Sequence, residues 1–246
     1  MDLAGKTVIL TGVRRIGKVV ALSLAHMGVN LVFSYLNDSD DLNLLCKECE
    51  SLGSKAVAIK CDLSKESEVD NLVDQAIEKF GRVDILIHMA ANYPKTPLAK
   101  ISDESFNKNM DIIALSSLLL AKKLQSVMEN NQGDIKGKMI FFSDWSVLRN
   151  PYPDYSVYNG AKAAVEAIAK TLAKEFAPSI TVNVVAPGPI LKPDGLAESE
   201  DVETMKNTPL KRWGGSIEIA KVVEYLLSAD FVTGVVLPVD GGRSIA

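Results

Sequence analysis
Short apolar runs alternate with helical periodicities along the chain, and this alternation restricts the fold more than any other feature. Seven such runs, at 8–10, 31–35, 56–59, 85–89, 139–143, 182–186 and 235–239, read as strands. Between them, apolar residues recur at helical spacing over 16–26, 67–80, 102–125, 155–176 and 216–227. Strands that are apolar throughout need cover on both faces. Neighbours joined by helices run parallel, because a parallel connection needs a crossover of helix length. The expected architecture is α/β, a doubly wound parallel sheet of seven strands. At 246 residues the chain fits one domain over 1–246. Only the stretch from 187 to about 209 lacks clear periodicity, and a lid is expected near 190–209.

The sequence carries 27 basic and 31 acidic residues, a net charge of −4, so no diffuse positive field draws nucleic acid or an anionic membrane. A small-molecule partner is the expectation. No run approaches the ~20 apolar residues that span a bilayer, and the opening residues lack the basic region and apolar core of a signal peptide. The expected location is the cytoplasm. Three cysteines, Cys46, Cys49 and Cys61, cannot all pair, and the first two fall in a helix-like run, so they read as reduced thiols. With no second cysteine pair and only His26 and His88 as histidines, no metal site is expected.

The first strand ends in Thr11-Gly12-Val13-Arg14-Arg15-Ile16-Gly17 and opens a helix. Backbone N–H groups and the helix dipole at such a turn can hold a pyrophosphate, which points to Gly12, Arg14, Arg15, Ile16 and Gly17 as binding residues. Asp62-Leu63 follows the third strand, and Tyr158-Asn159-Gly160-Ala161-Lys162 lies in a helix. Asn183-Val184-Val185-Ala186-Pro187-Gly188-Pro189-Ile190 and Thr233-Gly234-Val235-Val236-Leu237-Pro238-Val239-Asp240-Gly241-Gly242 come later. In this order and spacing, these segments resemble the short-chain dehydrogenase/reductase family over nearly the whole chain. The resemblance implies a Rossmann-type sheet in the order 3-2-1-4-5-6-7, with a nicotinamide dinucleotide across the carboxyl ends of the strands. It adds Asp62, Leu63, Ala90, Pro187, Gly188 and Ile190 to the expected cofactor contacts.

Tyr158 and Lys162 are four residues apart on a helix and share one face, and an ammonium beside a phenol favours the phenolate. The pair is expected to exchange a proton near neutral pH. The resemblance makes Tyr158 the general acid for carbonyl reduction, and makes Lys162 the residue that lowers its pKa and binds the nicotinamide ribose. Three departures from the family pattern bear on the chemistry. The glycine loop is one residue short, with Arg15 in place of its middle glycine. The family's catalytic serine falls within Ser143-Asp144-Trp145-Ser146, where a one-residue insertion near Asn150 places Asp144 at the site and the competing alignment places Ser146 there. The family's active-site asparagine, which kinks its helix and holds a water for proton relay, aligns with Ile113, so that relay is expected to be absent or rebuilt.

Arg15, Asp144 and Tyr93 together resemble the pteridine reductase branch of this family, in which an aromatic at this place stacks a flat pterin against the nicotinamide. The expected substrate residues are Tyr93, Asp144 and Trp145, and the expected catalytic set is Tyr158, Lys162, Asp144 and Ser146. His88 and Met89 depart from that branch's paired asparagines. The second strand ends in Tyr35, where an acidic residue would bind the ribose hydroxyls of NAD. Arg14 or Arg15 could pair with a 2′-phosphate and Asn37 or Ser39 could donate to it, so NADP is favoured over NAD, against the nearby charges of Asp38, Asp40 and Asp41. The expected activity is NADPH-dependent reduction of a C=O or C=N carbon. The alternatives are a 3-oxoacyl-(acyl carrier protein) reductase-like ketone reductase using Ser146 or Ser143, and a dinucleotide-binding sensor without catalysis. The resemblance also implies a homotetramer or homodimer.

Overall fold
The computed structural model describes residues 2–37, 40–149 and 151–246. Its strands are β1 (Thr7–Thr11), β2 (Asn30–Tyr35), β3 (Ala56–Lys60), β4 (Ile85–His88), β5 (Gly137–Phe142), β6 (Ile180–Pro187) and β7 (Val236–Val239). They pair in parallel in the order β3-β2-β1-β4-β5-β6-β7, as the sequence leads one to expect. The helices are α1 (Ile16–Ala25), α2 (Asp40–Ser51), α3 (Glu66–Phe80), α4 (Asp103–Met110), α5 (Ser116–Met128), α6 (Trp145–Leu148), α7 (Ser156–Glu175), α8 (Glu198–Lys206) and α9 (Ser216–Ser228).

Side-chain alternation along each strand feeds two separate cores. Ile9 of β1, Leu86 of β4 and Phe141 of β5 pack with α3, α5 and α7, whereas Val8, Ile85 and Ile140 pack with α1, α2 and α9. Each fully buried aliphatic side chain contributes ~1.5–3 kcal/mol, so the two apolar layers are the main hold on the sheet. Local signals set the helix ends. Helix α3 opens with Glu66 and Glu68 and closes near Lys79, matching the helix dipole at both ends. Helix α4 begins in a capping box, in which Ser105 N–H donates to the Ser102 hydroxyl and Ser102 N–H donates to the Ser105 hydroxyl.

Two expectations are corrected. The helix expected over 102–125 is not continuous but is interrupted by a π turn at Asp111–Leu115, where the Ser116 N–H reaches back to Asp111 O. The π turn falls around Ile113, the position aligned with the family's asparagine, and Ile113 is 1% exposed in the core. The Ser116 hydroxyl donates to Ile112 O and the Ser117 hydroxyl to Ile113 O, both at 2.7 Å, so hydroxyls serve these carbonyls. The stretch 187–209 also contains regular structure, because α8 forms within it without a buried residue. Its exposure explains why no apolar periodicity announces it.

The turn between β1 and α1 lies against the end of β4. Gly12 has φ of +73°, and a Cβ there would sit 2.6 Å from the Met89 carbonyl carbon; one at Gly17 would sit 2.3 Å from Gly12 O. Cys46, Cys49 and Cys61 are free, and burial pushes the last two thiols up to about 12, so both stay protonated. No helix among the described residues is long and apolar enough to cross a membrane. Gly12→Ala combines left-handed strain with a backbone collision and is expected to cost at least about 2 kcal/mol of stability. Chemical denaturation checks this, and an unchanged midpoint would refute the close-approach argument.

Candidate active site
A cavity of about 1040 Å³ opens along the carboxyl ends of the strands, spanning the point where the chain passes from β1 outward on one side and returns through β4 on the other. Of the residues expected to bind cofactor, Gly12, Arg14, Arg15, Ile16, Tyr35, Asn37, Asp62, Leu63, Ala90, Pro187, Gly188 and Ile190 line it, together with Tyr158 and Lys162. Gly17 is buried beneath the turn, where its lack of a side chain lets α1 approach Gly12. Ser39, Asp38 and the expected insertion at Asn150 lie outside the described residues. Arg15 takes φ of 51° and ψ of −100°, a conformation costing a non-glycine residue on the order of 1–3 kcal/mol, and its guanidinium donates to Lys192 O at 3.2 Å. Asp41 also lines the cavity.

Asp144 lies at the centre of the polar network. It caps α6, accepting from Ser146 N–H at 2.9 Å and from the Ser146 hydroxyl at 2.6 Å through Oδ1. Its Oδ2 accepts from the Tyr158 hydroxyl at 3.0 Å. The carboxylate thus stands beside the phenol, and the Ser146 hydroxyl serves the carboxylate. The Ser143 hydroxyl donates to Glu166 Oε1 at 2.6 Å. Lys162 Nζ donates to Phe142 O at 2.7 Å and lies 5.8 Å from the centre of the Tyr158 ring.

This geometry corrects the expectation of an easily ionised phenol. Burial, followed by the Asp144 carboxylate, pushes the Tyr158 pKa above its ordinary value, so the hydroxyl is held protonated. Burial brings Lys162 down to about 8, with Asp144 acting in the opposite sense. Lysine, not tyrosine, is therefore the group of this pair that titrates near neutrality. Burial, then the Lys162 charge, lowers His88 to about 3, so its ring is neutral. Because Ser116 already donates to Ile112 O, His88 Nε2–H donates to the Ser116 hydroxyl at 2.9 Å, and His88 Nδ1 accepts from Thr11 Oγ1 at 2.8 Å.

Tyr93 stacks on Tyr155 with centroids 4.4 Å apart and meets Tyr158 edge-on at 4.7 Å. It stands next to the candidate proton donor, but Tyr155 occupies one of its faces. Trp145 is placed differently from the expectation. It is turned into packing under the Arg243 guanidinium at 4.7 Å and against Tyr152 at 5.7 Å, because its position at the start of α6 directs it away from the cavity. Neither Trp145 nor Ser146 is among the described residues that line the cavity.

The cavity fits a dinucleotide. At the start of α1 there is no side-chain cap and no acidic residue in the first turn, which leaves backbone donors for a phosphate beside Gly12 and Arg15. A family model described as Enoyl-(Acyl carrier protein) reductase matches residues 12–244. A short chain dehydrogenase, mdpC of Emericella nidulans, is 31% identical over 98% of this chain and 96% of its own length. The chain belongs to the short-chain dehydrogenase/reductase family. It is an oxidoreductase, and its fold binds NAD or NADP.

Solved structures of similar fold hold either nucleotide. A blue fluorescent protein from a metagenomic library, in complex with NADPH, is 28% identical with a TM-score of 0.90, covering 99% of both chains. An NAD+-bound xylitol dehydrogenase is 25% identical with a TM-score of 0.86, covering 98% of this chain and all of its own. Sequence reasoning missed Tyr152 and Tyr155, although Tyr152, Tyr155 and Tyr158 recur every third residue. It also missed Arg243, for which no local pattern exists.

The pKa ordering is open to direct titration. In protein carrying isotope-labelled lysine, one side chain is expected to titrate near pH 8, well below the surface lysines. Asp144→Asn should move that midpoint lower still, since the carboxylate favours the ammonium. A Lys162 midpoint within the surface group would contradict the burial argument.

Proposed function
We propose that the protein is an NADPH-dependent reductase acting on a C=N bond in a planar heterocycle of the dihydropterin kind. The observation carrying this reading is the Asp144 carboxylate 3.0 Å from the Tyr158 hydroxyl. A ketone receiving hydride develops negative charge on oxygen, which a neighbouring carboxylate opposes. Protonation of a ring nitrogen develops positive charge, which the same carboxylate stabilises. The serine hydroxyls that could orient a carbonyl are committed elsewhere, Ser143 to Glu166 and Ser146 to Asp144. The stacked pair Tyr93–Tyr155 stands beside Tyr158, outside the lining of the cavity, and leaves Tyr93 half exposed for a flat substrate.

A bound nicotinamide dinucleotide supplies the hydride. Tyr158 gives its proton to the substrate nitrogen after the hydroxyl turns from Asp144 Oδ2, and the Lys162 ammonium offsets the charge left on the phenolate. NADPH is preferred over NADH because Tyr35, not a carboxylate, ends β2, and Arg14 and Arg15 line the cavity. Asn37 adds a hydrogen-bond donor there. Retention of the buried Tyr158 and Lys162 argues against a sensor without catalysis. Association into a homotetramer or homodimer would cover Leu115 and Leu118, which are exposed on and beside α5.

Tyr158→Phe is expected to reduce turnover by about 10²–10⁴-fold while leaving NADPH binding intact. Turnover should also fall as pH rises through about 8, where Lys162 loses its proton. Titration should find NADPH bound more tightly than NADH, with the margin narrowed in Arg14→Ala and Arg15→Ala; equal affinities would refute the cofactor reading. The substrate reading is tested by comparing a dihydropterin with a 3-oxoacyl thioester, in the parent protein and in Asp144→Asn. Preference for the dihydropterin, lost in Asp144→Asn, supports it. Faster thioester reduction that is unaffected by Asp144→Asn refutes it in favour of a ketone reductase.

A further inference from the structure
Arg243, in the 3-10 turn Arg243–Ile245 after β7, is 6% exposed, yet its hydrogen bonds go to neutral acceptors. Nη2 donates to the Tyr152 hydroxyl at 2.6 Å, and Nη1 donates to Thr204 O at 2.9 Å and Thr208 Oγ1 at 3.4 Å. The guanidinium lies 4.7 Å from the centre of the Trp145 ring, and its buried Nε has no hydrogen-bond partner. Among the described residues no carboxylate lies within ion-pair distance of this guanidinium, and a buried cation so placed is costly, so other contacts must hold the arrangement in place. Asp240 fixes the backbone that presents it, accepting from Gly242 N–H at 2.9 Å and Ser244 N–H at 2.7 Å.

The groups that meet at this guanidinium come from three parts of the chain. Thr204 and Thr208 belong to the lid, at the end of α8 and just after it. Trp145 directly follows Asp144, so fixing its ring fixes the turn that presents the carboxylate to Tyr158. Since α8 buries no residue, apolar packing does not secure it. Its earlier part is tied through Asp201, which accepts from Lys192 Nζ at 2.5 Å and Trp213 Nε1 at 2.8 Å. Its carboxyl end is tied through Arg243.

We propose that Arg243 is a positioning residue that clamps the lid helix to the turn carrying Asp144, setting the lid against a fixed carboxylate. The kinetic part of this proposal rests on the reductase reading above; the structural part does not. In Arg243→Met, amide hydrogen exchange should rise by about tenfold or more over both 198–206 and 145–148, with the central strands unchanged. The KM for a dihydropterin should rise by about tenfold, with NADPH affinity altered less than twofold. Tyr152→Phe keeps the ring and removes one acceptor, and should give a smaller rise in the same two segments. Exchange that changes only over 243–246, or rises uniformly through the sheet, overturns the proposal, as does a Tyr152→Phe protein matching the parent in both segments. If no dihydropterin is reduced, the substrate reading fails while the exchange data still decide the clamp.

Discussion
A methyl group at Gly12 would sit 2.6 Å from the Met89 carbonyl carbon, so the turn that opens α1 and the end of β4 are pressed together at backbone contact. The Thr11 hydroxyl reinforces this contact, accepting from Met89 N–H and Ala90 N–H, both at 3.1 Å, while it donates to His88. His88 in turn reaches Ser116 at the end of the π turn. One hydrogen-bonded line thus runs from the turn before α1 across the end of β4 to the π turn. Thr11, His88 and Ser116 are buried, where a missing partner costs about 1–3 kcal/mol, so each bond of the line depends on its neighbours.

Through that line the altered helix is accommodated without the family's asparagine. A π turn widens the helix and changes which carbonyls are served within it. In this chain, the hydroxyls of Ser116 and Ser117 satisfy Ile112 and Ile113, and a neutral histidine holds Ser116. Ile113 can then fill core space. Lys162 bonds to Phe142 O on β5.

Much of this was legible in the sequence, and the limits have physical causes. Strand order follows from continuous apolar runs and helical crossovers joined to a motif resemblance, and the cavity follows because the motifs fall at strand ends. A π turn changes helical phase by one residue within an otherwise apolar stretch, too small a signal over 102–125. Helix α8 has no buried face to impose periodicity. Trp145 adjoins Asp144 in sequence and was expected at the substrate, but successive residues at a helix start point in different directions, and Arg243 takes its ring face. The phenol was expected to ionise on the strength of one nearby ammonium. Burial and the Asp144 carboxylate, neither visible in the spacing of the pair, both oppose ionisation.

These two terms also limit the chemistry the site favours. Burial disfavours the charged forms of both Tyr158 and Lys162, whereas the Asp144 carboxylate favours the protonated form of each. In the resting arrangement the phenol is neutral, and below about pH 8 one ammonium stands against one carboxylate. Releasing the phenol proton leaves two anions facing one cation in a poorly solvated pocket, where Coulomb terms are strong. That release is least unfavourable when the proton moves to a group that becomes positive beside Asp144. A basic ring nitrogen, protonated ahead of hydride addition, meets this condition; a ketone oxygen is too weakly basic to be protonated first and takes the hydride's negative charge instead. On the proposed reading, the carboxylate that makes Tyr158 a reluctant acid in general favours proton transfer to a substrate atom that becomes positive.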